Sequence, residues 1–213
     1  MRGKRNPDLP GRCKRCLIMQ ANCICAEIRP VVSQTRVIII RHAHELAKPS
    51  GTARIALLAL PNAQIVEFGQ FGDQANQDAV PQLGDLDGAS LLFPGQDKSV
   101  WPTTPIKTLI VLDGTWRQAR RMRRRMPALW TLPTLDLHQP AAHQVRLRTP
   151  TSPEGRSTLE AIAEALGILE GPALAAPLHA LHNRFIEQTL RARGLWTIRQ
   201  NALGPPPTLP TDD

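Results

Sequence analysis

The sequence contains no tyrosine, and only four phenylalanines and four tryptophans among 213 residues. That scarcity excludes a broad aromatic platform on which successive bases would stack. Cysteine is absent outside one short cluster. No apolar run is long enough to span a bilayer, and the start "MRGKRNPDLPG" lacks the apolar core of a signal peptide. The expectation is a soluble, cytoplasmic protein, with no membrane association and no obligate protein partner. P-loops, G-x-G-x-x-G fingerprints and internal repeats are missing as well. Acidic residues are in deficit: 18 Asp and Glu face 26 Lys and Arg, for a net charge of +8. The excess is mostly arginine and it is clustered, which favours a polyanionic partner, most commonly nucleic acid. A hydrophobic content of 42% in a chain of this length allows one domain with a sizeable core and a small appended module.

What is present begins with "CKRCLIMQANCIC", which holds all four cysteines: Cys13, Cys16, Cys23 and Cys25. Nothing points to secretion, and cytosolic thiols stay reduced. Four thiolates in so short a segment suit a tetrahedral Zn²⁺. The first pair has knuckle spacing; the second, C-x-C, is tighter. Four sulfurs leave no open position, so the ion is structural and folds a segment too short for its own core. Arg12, Lys14 and Arg15 decorate the knuckle, as a solvated face or as phosphate contacts.

Past the knuckle, apolar runs alternate with turn-rich gaps. Strands are expected at Thr35–Ile40, at "AQIVEFGQF", at "ASLLFPG", at "TLIVL" and at "HQVRLRT". Helices are expected around "ARIALLAL", in the arginine-rich segment after Thr115, in "STLEAIAEAL" and over Leu174–Arg193. The pattern indicates an α/β domain: a mainly parallel sheet with flanking helices. The organisation is a zinc-binding module over 1–34, the α/β domain over 35–200 and a Pro-rich, disordered tail over 201–213.

Ligands of such sheets gather at the carboxyl ends of the strands. One exit reads "LDGTWRQARRMRRRMP". Asp113 closes a buried strand, and Thr115 with Gln118 forms a capping box. Trp116, Ala119, Met122 and Met126 fall on one helical stripe, expected to pack inward. Arg117, Arg120, Arg121, Arg124 and Arg125 lie away from it, with Arg123 near its edge. Six arginines in nine residues repel one another, and a phosphate backbone would neutralise them. Asp113 reads equally as a turn residue holding a backbone N–H and as a catalytic carboxylate. A second capping box, Ser157 with Glu160, opens a helix whose free N–H groups face the same end. "HAHELAK" brings His42, His44, Glu45 and Lys48 to a further exit, as polar groups of a cleft. "LLFPG" offers backbone at Pro94 and Gly95, which suits a flat nucleoside.

Together these pieces resemble the DTW-domain family, named for a D-x-T-W motif that Asp113-Gly114-Thr115-Trp116 supplies. The cysteine cluster, the His42/Glu45/Lys48 set, Phe93-Pro94-Gly95, "LDGTWRQARRM" and "RSTLEA" follow in the family's order, over roughly residues 12 to 190. Two departures stand out: Ala43 where the family often has Pro, and Ser50-Gly51-Thr52 where it often has N-T-G. The resemblance implies a relative of the SPOUT class, whose α/β sheet carries a trefoil knot. It implies transfer of the 3-amino-3-carboxypropyl group of S-adenosylmethionine to a uridine ring nitrogen in tRNA, with release of methylthioadenosine. It places S-adenosylmethionine at Phe93, Pro94, Gly95, Leu112, Thr115, Ser157 and Thr158. The carboxylate of S-adenosylmethionine would meet the Ser157-Thr158 helix start, with Lys48 or Arg156 in reserve. Asp113 is the catalytic candidate, as base or positioning group. His42, Glu45, Lys48, Arg117, Arg120, Arg121 and Arg124 are expected on the RNA side, and Trp116 in packing. An RNA methyltransferase on the same scaffold and a non-enzymatic zinc-containing RNA-binding module are the alternatives.

Overall fold

The computed structural model describes residues 10–69, 79–94, 101, 105–137, 146–147 and 155–201. Five strands form one sheet: β1 (Arg36–His42), β2 (Ala63–Phe68), β3 (Ala89–Leu92), β4 (Thr108–Asp113) and β5 (Thr134–Leu135). Their order is β2-β1-β4-β3-β5, and every pairing is parallel. The helices are α1 (Ala53–Ala59), α2 (Trp116–Arg125), α3 (Thr158–Glu170), α4 (Pro172–Arg191) and α5 (Trp196–Asn201).

Strand parity builds the layers. Val37, Ile39, Leu109 and Val111 face α1, α3 and α4, in one core with Ile55, Leu166, Leu178 and Phe185. Ile38, Ile40, Leu91 and Ile110 face the other way, against Ala119 and Met122 of α2 and Met126 just past its end. A sheet buried on both faces explains why β1 and β4 read as unbroken aliphatic runs. Parity also decides where Asp113 points. It follows Leu109 and Val111 on the α3 side.

Two expected features differ. Of the strand expected at "HQVRLRT", only Arg146 and Leu147 are among the described residues, and neither is in a strand. The rest of that segment lies outside the described residues, among which the fifth strand is Thr134–Leu135, whose two-residue register with Leu91 and Leu92 is too short to leave a periodic signal. The other is Trp116, which is 38% exposed although Ala119, Met122 and Met126 are buried. As first residue of α2 it lies beyond the end of β4, on the wall of a cavity rather than over the sheet.

The cysteine segment packs on the α3–α4 side. Gly11 and Leu17 adopt left-handed backbone (φ 75° and 59°), and the Cys13 N–H donates to the Ile18 carbonyl at 2.8 Å. Cys16, Ile18 and Ile24 are buried within the main core. Asn22 donates to Gln188 of α4 at 3.1 Å, and Arg184 pairs with Glu27 at 2.8 Å. No helix among the described residues is long and apolar enough to cross a membrane.

Candidate active site at the strand exits

Three neighbouring strands, β4, β3 and β5, end on one cavity of about 520 Å³. Such a volume suits a nucleoside-sized ligand. Leu92, Phe93 and Pro94 enter its wall from β3, Leu112 and Asp113 from β4, and Leu135 and Asp136 from β5. The start of α2 adds Thr115, Trp116 and Arg117; the start of α3 adds Ser157 and Thr158. All the expected S-adenosylmethionine contacts that are described thus meet in one wall. Gly95 lies outside the described residues.

Both helix starts are fixed as their sequences dictate. The Thr115 N–H donates to Gln118 Oε1 at 2.6 Å, and the Gln118 N–H returns to Thr115 Oγ1 at 3.4 Å. Gly114 makes room for this box: a Cβ there would stand 3.1 Å from Gln118 Cβ. At α3 the Ser157 N–H donates to Glu160 Oε2 at 3.1 Å, and the Glu160 N–H returns to Ser157 Oγ at 3.3 Å.

Asp113 is 7% exposed. Thr158 Oγ1 donates to its Oδ1 at 2.5 Å, whereas Oδ2 is buried with no partner among the described residues. Burial pushes its carboxyl up to about 6; the Thr158 hydroxyl works against this, Glu45 adds to it, and Arg41 and Lys48 oppose it. A carboxylate of this kind is ionised at neutral pH, yet a better proton acceptor than a solvated aspartate. Across the sheet, Asp113 is in register with Arg41, and Arg41 with Glu67. Arg41 Nε donates to Glu67 Oε1 at 3.0 Å, so this buried cation is held on the side of β1 away from Asp113.

His42, Glu45 and Lys48 are not in the cavity wall. His42 ends β1, and Glu45 and Lys48 follow it; β1 flanks β4 on the side away from β3. His42 and Glu45 are buried, and Lys48 forms an ion pair with Glu45. His42 Nδ1 accepts from the His44 N–H at 3.2 Å and stands 3.4 Å from Gln118 Nε2. Burial lowers the pKa of His42, reinforced by His44. Glu45 and Lys48 thus reach Asp113 only through the field, with opposite signs, and His42 touches the α2 cap at Gln118. Of the arginines, Arg117 lines the cavity, Arg120 and Arg124 are exposed, and Arg121 is half-buried. Arg117, Arg120 and Arg124 form no ion pair among the described residues. Arg156 is committed to Glu164 at 2.7 Å.

Two wall residues carry roles that sequence reasoning did not assign. His182, 1% exposed on α4, places Nε2 2.7 Å from Ser157 Oγ. Arg146 pairs at 3.1 Å with Glu160, which is fully buried. A signal for His182 existed: it shares the inward stripe of Leu178, Phe185 and Ile186, and a polar group there needs a buried partner. Arg146 had none, since it and Glu160 share no periodic element.

The four cysteine sulfurs lie within 4.8 Å of one another, with Cys13 and Cys25 at 3.6 Å and Cys16 and Cys23 at 3.8 Å. A tetrahedral ion bound at about 2.3 Å separates its sulfurs by about 3.8 Å, so the donor set fits a metal. Burial opposes ionisation of Cys13, but the N–H groups of Cys16 and Arg15 and the neighbouring thiols hold it down at about 6. Burial pushes Cys16 and Cys25 up.

The DTW domain model matches residues 11–190. Three curated relatives carry the name tRNA-uridine aminocarboxypropyltransferase 2. The Drosophila melanogaster protein is 28% identical over 188 residues, which is 82% of this chain and 75% of that one. The Mus musculus protein is 30% identical over 84% of this chain, and the Macaca fascicularis protein 27% over 88%. The chain spans 63% and 61% of the lengths of those two. No solved structure matches it. The cavity, the D-x-T-W turn in its wall and a domain match over most of the sequence agree: the chain belongs to the DTW-domain family.

Proposed function

We propose that this chain is a tRNA-modifying transferase that moves the 3-amino-3-carboxypropyl group of S-adenosylmethionine to a ring nitrogen of a tRNA uridine. The observation that carries the reading is Asp113 Oδ2, a buried carboxylate oxygen without a partner among the described residues, on the wall of a nucleoside-sized cavity. The names of the three relatives support the same reaction.

Asp113 receives the imide proton of the uracil as its nitrogen attacks the γ-carbon of the amino acid chain. One C–N bond forms and one C–S bond breaks. The bonding pair leaves with sulfur, which turns from sulfonium to the thioether of methylthioadenosine, and the proton passes from Asp113 to solvent. Thr158 holds the carboxylate through Oδ1, which keeps Oδ2 for the proton. The Thr158 N–H at the start of α3 and the Arg117 guanidinium are the donors for the amino acid carboxylate, because Lys48 and Arg156 are spent on Glu45 and Glu164, and the neighbouring N–H groups on Glu160, Thr52 and Ser157. Enclosure and alignment supply most of the rate.

The four thiolates are read as a structural zinc site held by Cys13, Cys16, Cys23 and Cys25. The SPOUT kinship belongs to the same proposal, supported by the parallel sheet and the cavity at its strand exits. Incubation of the protein with tRNA and labelled S-adenosylmethionine tests the reaction. Methylthioadenosine and carboxypropyl-uridine are the expected products; adenosylhomocysteine and a methylated base would replace this reading with methyl transfer.

A further inference from the structure

Trp116 has no part in the reaction as written, and packing does not account for it. The three other members of its helical stripe are buried, while Trp116 keeps 38% exposure on the cavity wall. An open indole costs apolar hydration unless something covers it. Its position is nevertheless firm. Phe93 meets it in a T-shaped contact with ring centroids 6.1 Å apart, and the Arg123 guanidinium stands 4.8 Å over the Phe93 ring. A T-shaped contact occupies at most one face of the indole. Phe93 itself is 8% exposed, so Trp116 is the aromatic side chain of this wall with surface to offer.

We infer that Trp116 is the stacking seat of the acceptor uracil, holding the extruded base so that its imide edge turns to Asp113. The inference rests on the proposed transfer to uridine. The charge pattern of α2 selects the acceptor over the adenine of S-adenosylmethionine. Trp116 and Arg117 open the helix at the cavity, and Arg120 and Arg124 continue outward on its exposed face. An RNA backbone neutralised by Arg120 and Arg124 runs along α2 and delivers its base past the exposed tryptophan, while Arg117 stays with the carboxylate of the donor. The amino acid end of the donor belongs deeper, against Ser157 and Thr158. Stacking suits a base already out of its helix, because an aromatic face replaces the neighbour it has lost.

The test compares wild type with Trp116→Ala and Trp116→Phe. Two oligomers serve as probes: octauridylate, and an abasic phosphodiester of equal length. Trp116→Ala is expected to bind octauridylate about tenfold more weakly and the abasic oligomer equally well, with Trp116→Phe recovering most of the loss. In turnover, the KM for tRNA rises while the Kd for S-adenosylmethionine stays. An equal loss on both oligomers would mean that the indole acts through the fold, and weakened S-adenosylmethionine binding alone would give it to the donor; either overturns the inference. Transfer without any octauridylate difference sinks the stacking seat alone. A persistent octauridylate difference without transfer sinks the proposed reaction and leaves the seat standing.

Discussion

At Asp113, function and stability are in conflict. Burial raises its carboxyl from 3.8 to about 6, so the folded protein holds this proton more tightly than the unfolded chain does. The contribution of the group to stability is therefore intact below pH about 4 and lost as pH rises through about 6. Above that, the buried charge costs on the order of 3 kcal/mol. Asp113→Asn removes the charge and keeps an oxygen for Thr158. At pH 8 the variant is expected to be more stable than wild type by about 1 to 3 kcal/mol, with the gap closing toward pH 4. Its transfer rate is expected to fall by about 10²-fold or more, since the proton loses its acceptor. Urea unfolding at both pH values, with a transfer assay, checks the pair. A less stable variant at pH 8 would mean that the carboxylate is compensated in the folded state. For the wild type, transfer is expected to decline below pH about 6 as Asp113 takes up its proton.

Among the elements, α3 and α4 both contribute to the cavity wall, and they pack tightly at Gly167. A Cβ there would lie 2.9 Å from the Ala175 Cβ. Gly167→Ala gains about 1 kcal/mol of helix propensity. Overpacking costs about 1 to 3 kcal/mol, because neither partner has a flexible end to move. A net loss of about 1 kcal/mol is expected, recovered in part by Gly167→Ala with Ala175→Gly. No recovery in the double variant would rule out this contact as the cause. Most elements of this fold are legible in the sequence because physics at two levels agrees there. β1 and β4 are buried on both faces and read as aliphatic runs; α2 and α3 carry complete capping boxes ahead of their periodic stripes. Legibility fails where tertiary context overrides a local rule. Periodicity puts Trp116 on the stripe of Met122, but cannot show that it stands on the wall of a cavity. β5 pairs through two residues, and the Arg146–Glu160 ion pair joins positions with no shared period. The cavity wall itself was legible at Phe93, Asp113 and Ser157, because each closes or opens an element. The His42 set closes β1, the neighbour of β4 that contributes no residue to the cavity wall, and strand order is not written in any one strand.

On the scale of the whole molecule, charge and metal act over its full extent. The net charge of +8 is concentrated on α2, so Arg120→Glu with Arg124→Glu is expected to weaken tRNA binding and to flatten its dependence on salt by about two counterions. Filter binding between 50 and 200 mM salt reads this directly, and an unchanged slope would return both residues to solvent. The cysteine segment has the longer reach. Cys13 and Cys16 share one core with α3 and α4, and Asn22 and Glu27 are tied to α4 at Gln188 and Arg184. The same helix carries His182, which holds Ser157 in the cavity wall. Metal loss should therefore not melt a separate module. Purified protein is expected to hold about one zinc per chain, and Cys13→Ser or a strong chelator to remove it. A loss of about 3 kcal/mol would lower the melting temperature of the whole chain by about 10 °C, as one transition. S-adenosylmethionine binding should weaken with it, because α4 no longer fixes the start of α3. Two separate transitions, with the cavity intact after the first, would instead make the cysteine segment an independent unit; an unchanged melting temperature would reduce the four thiols to packing.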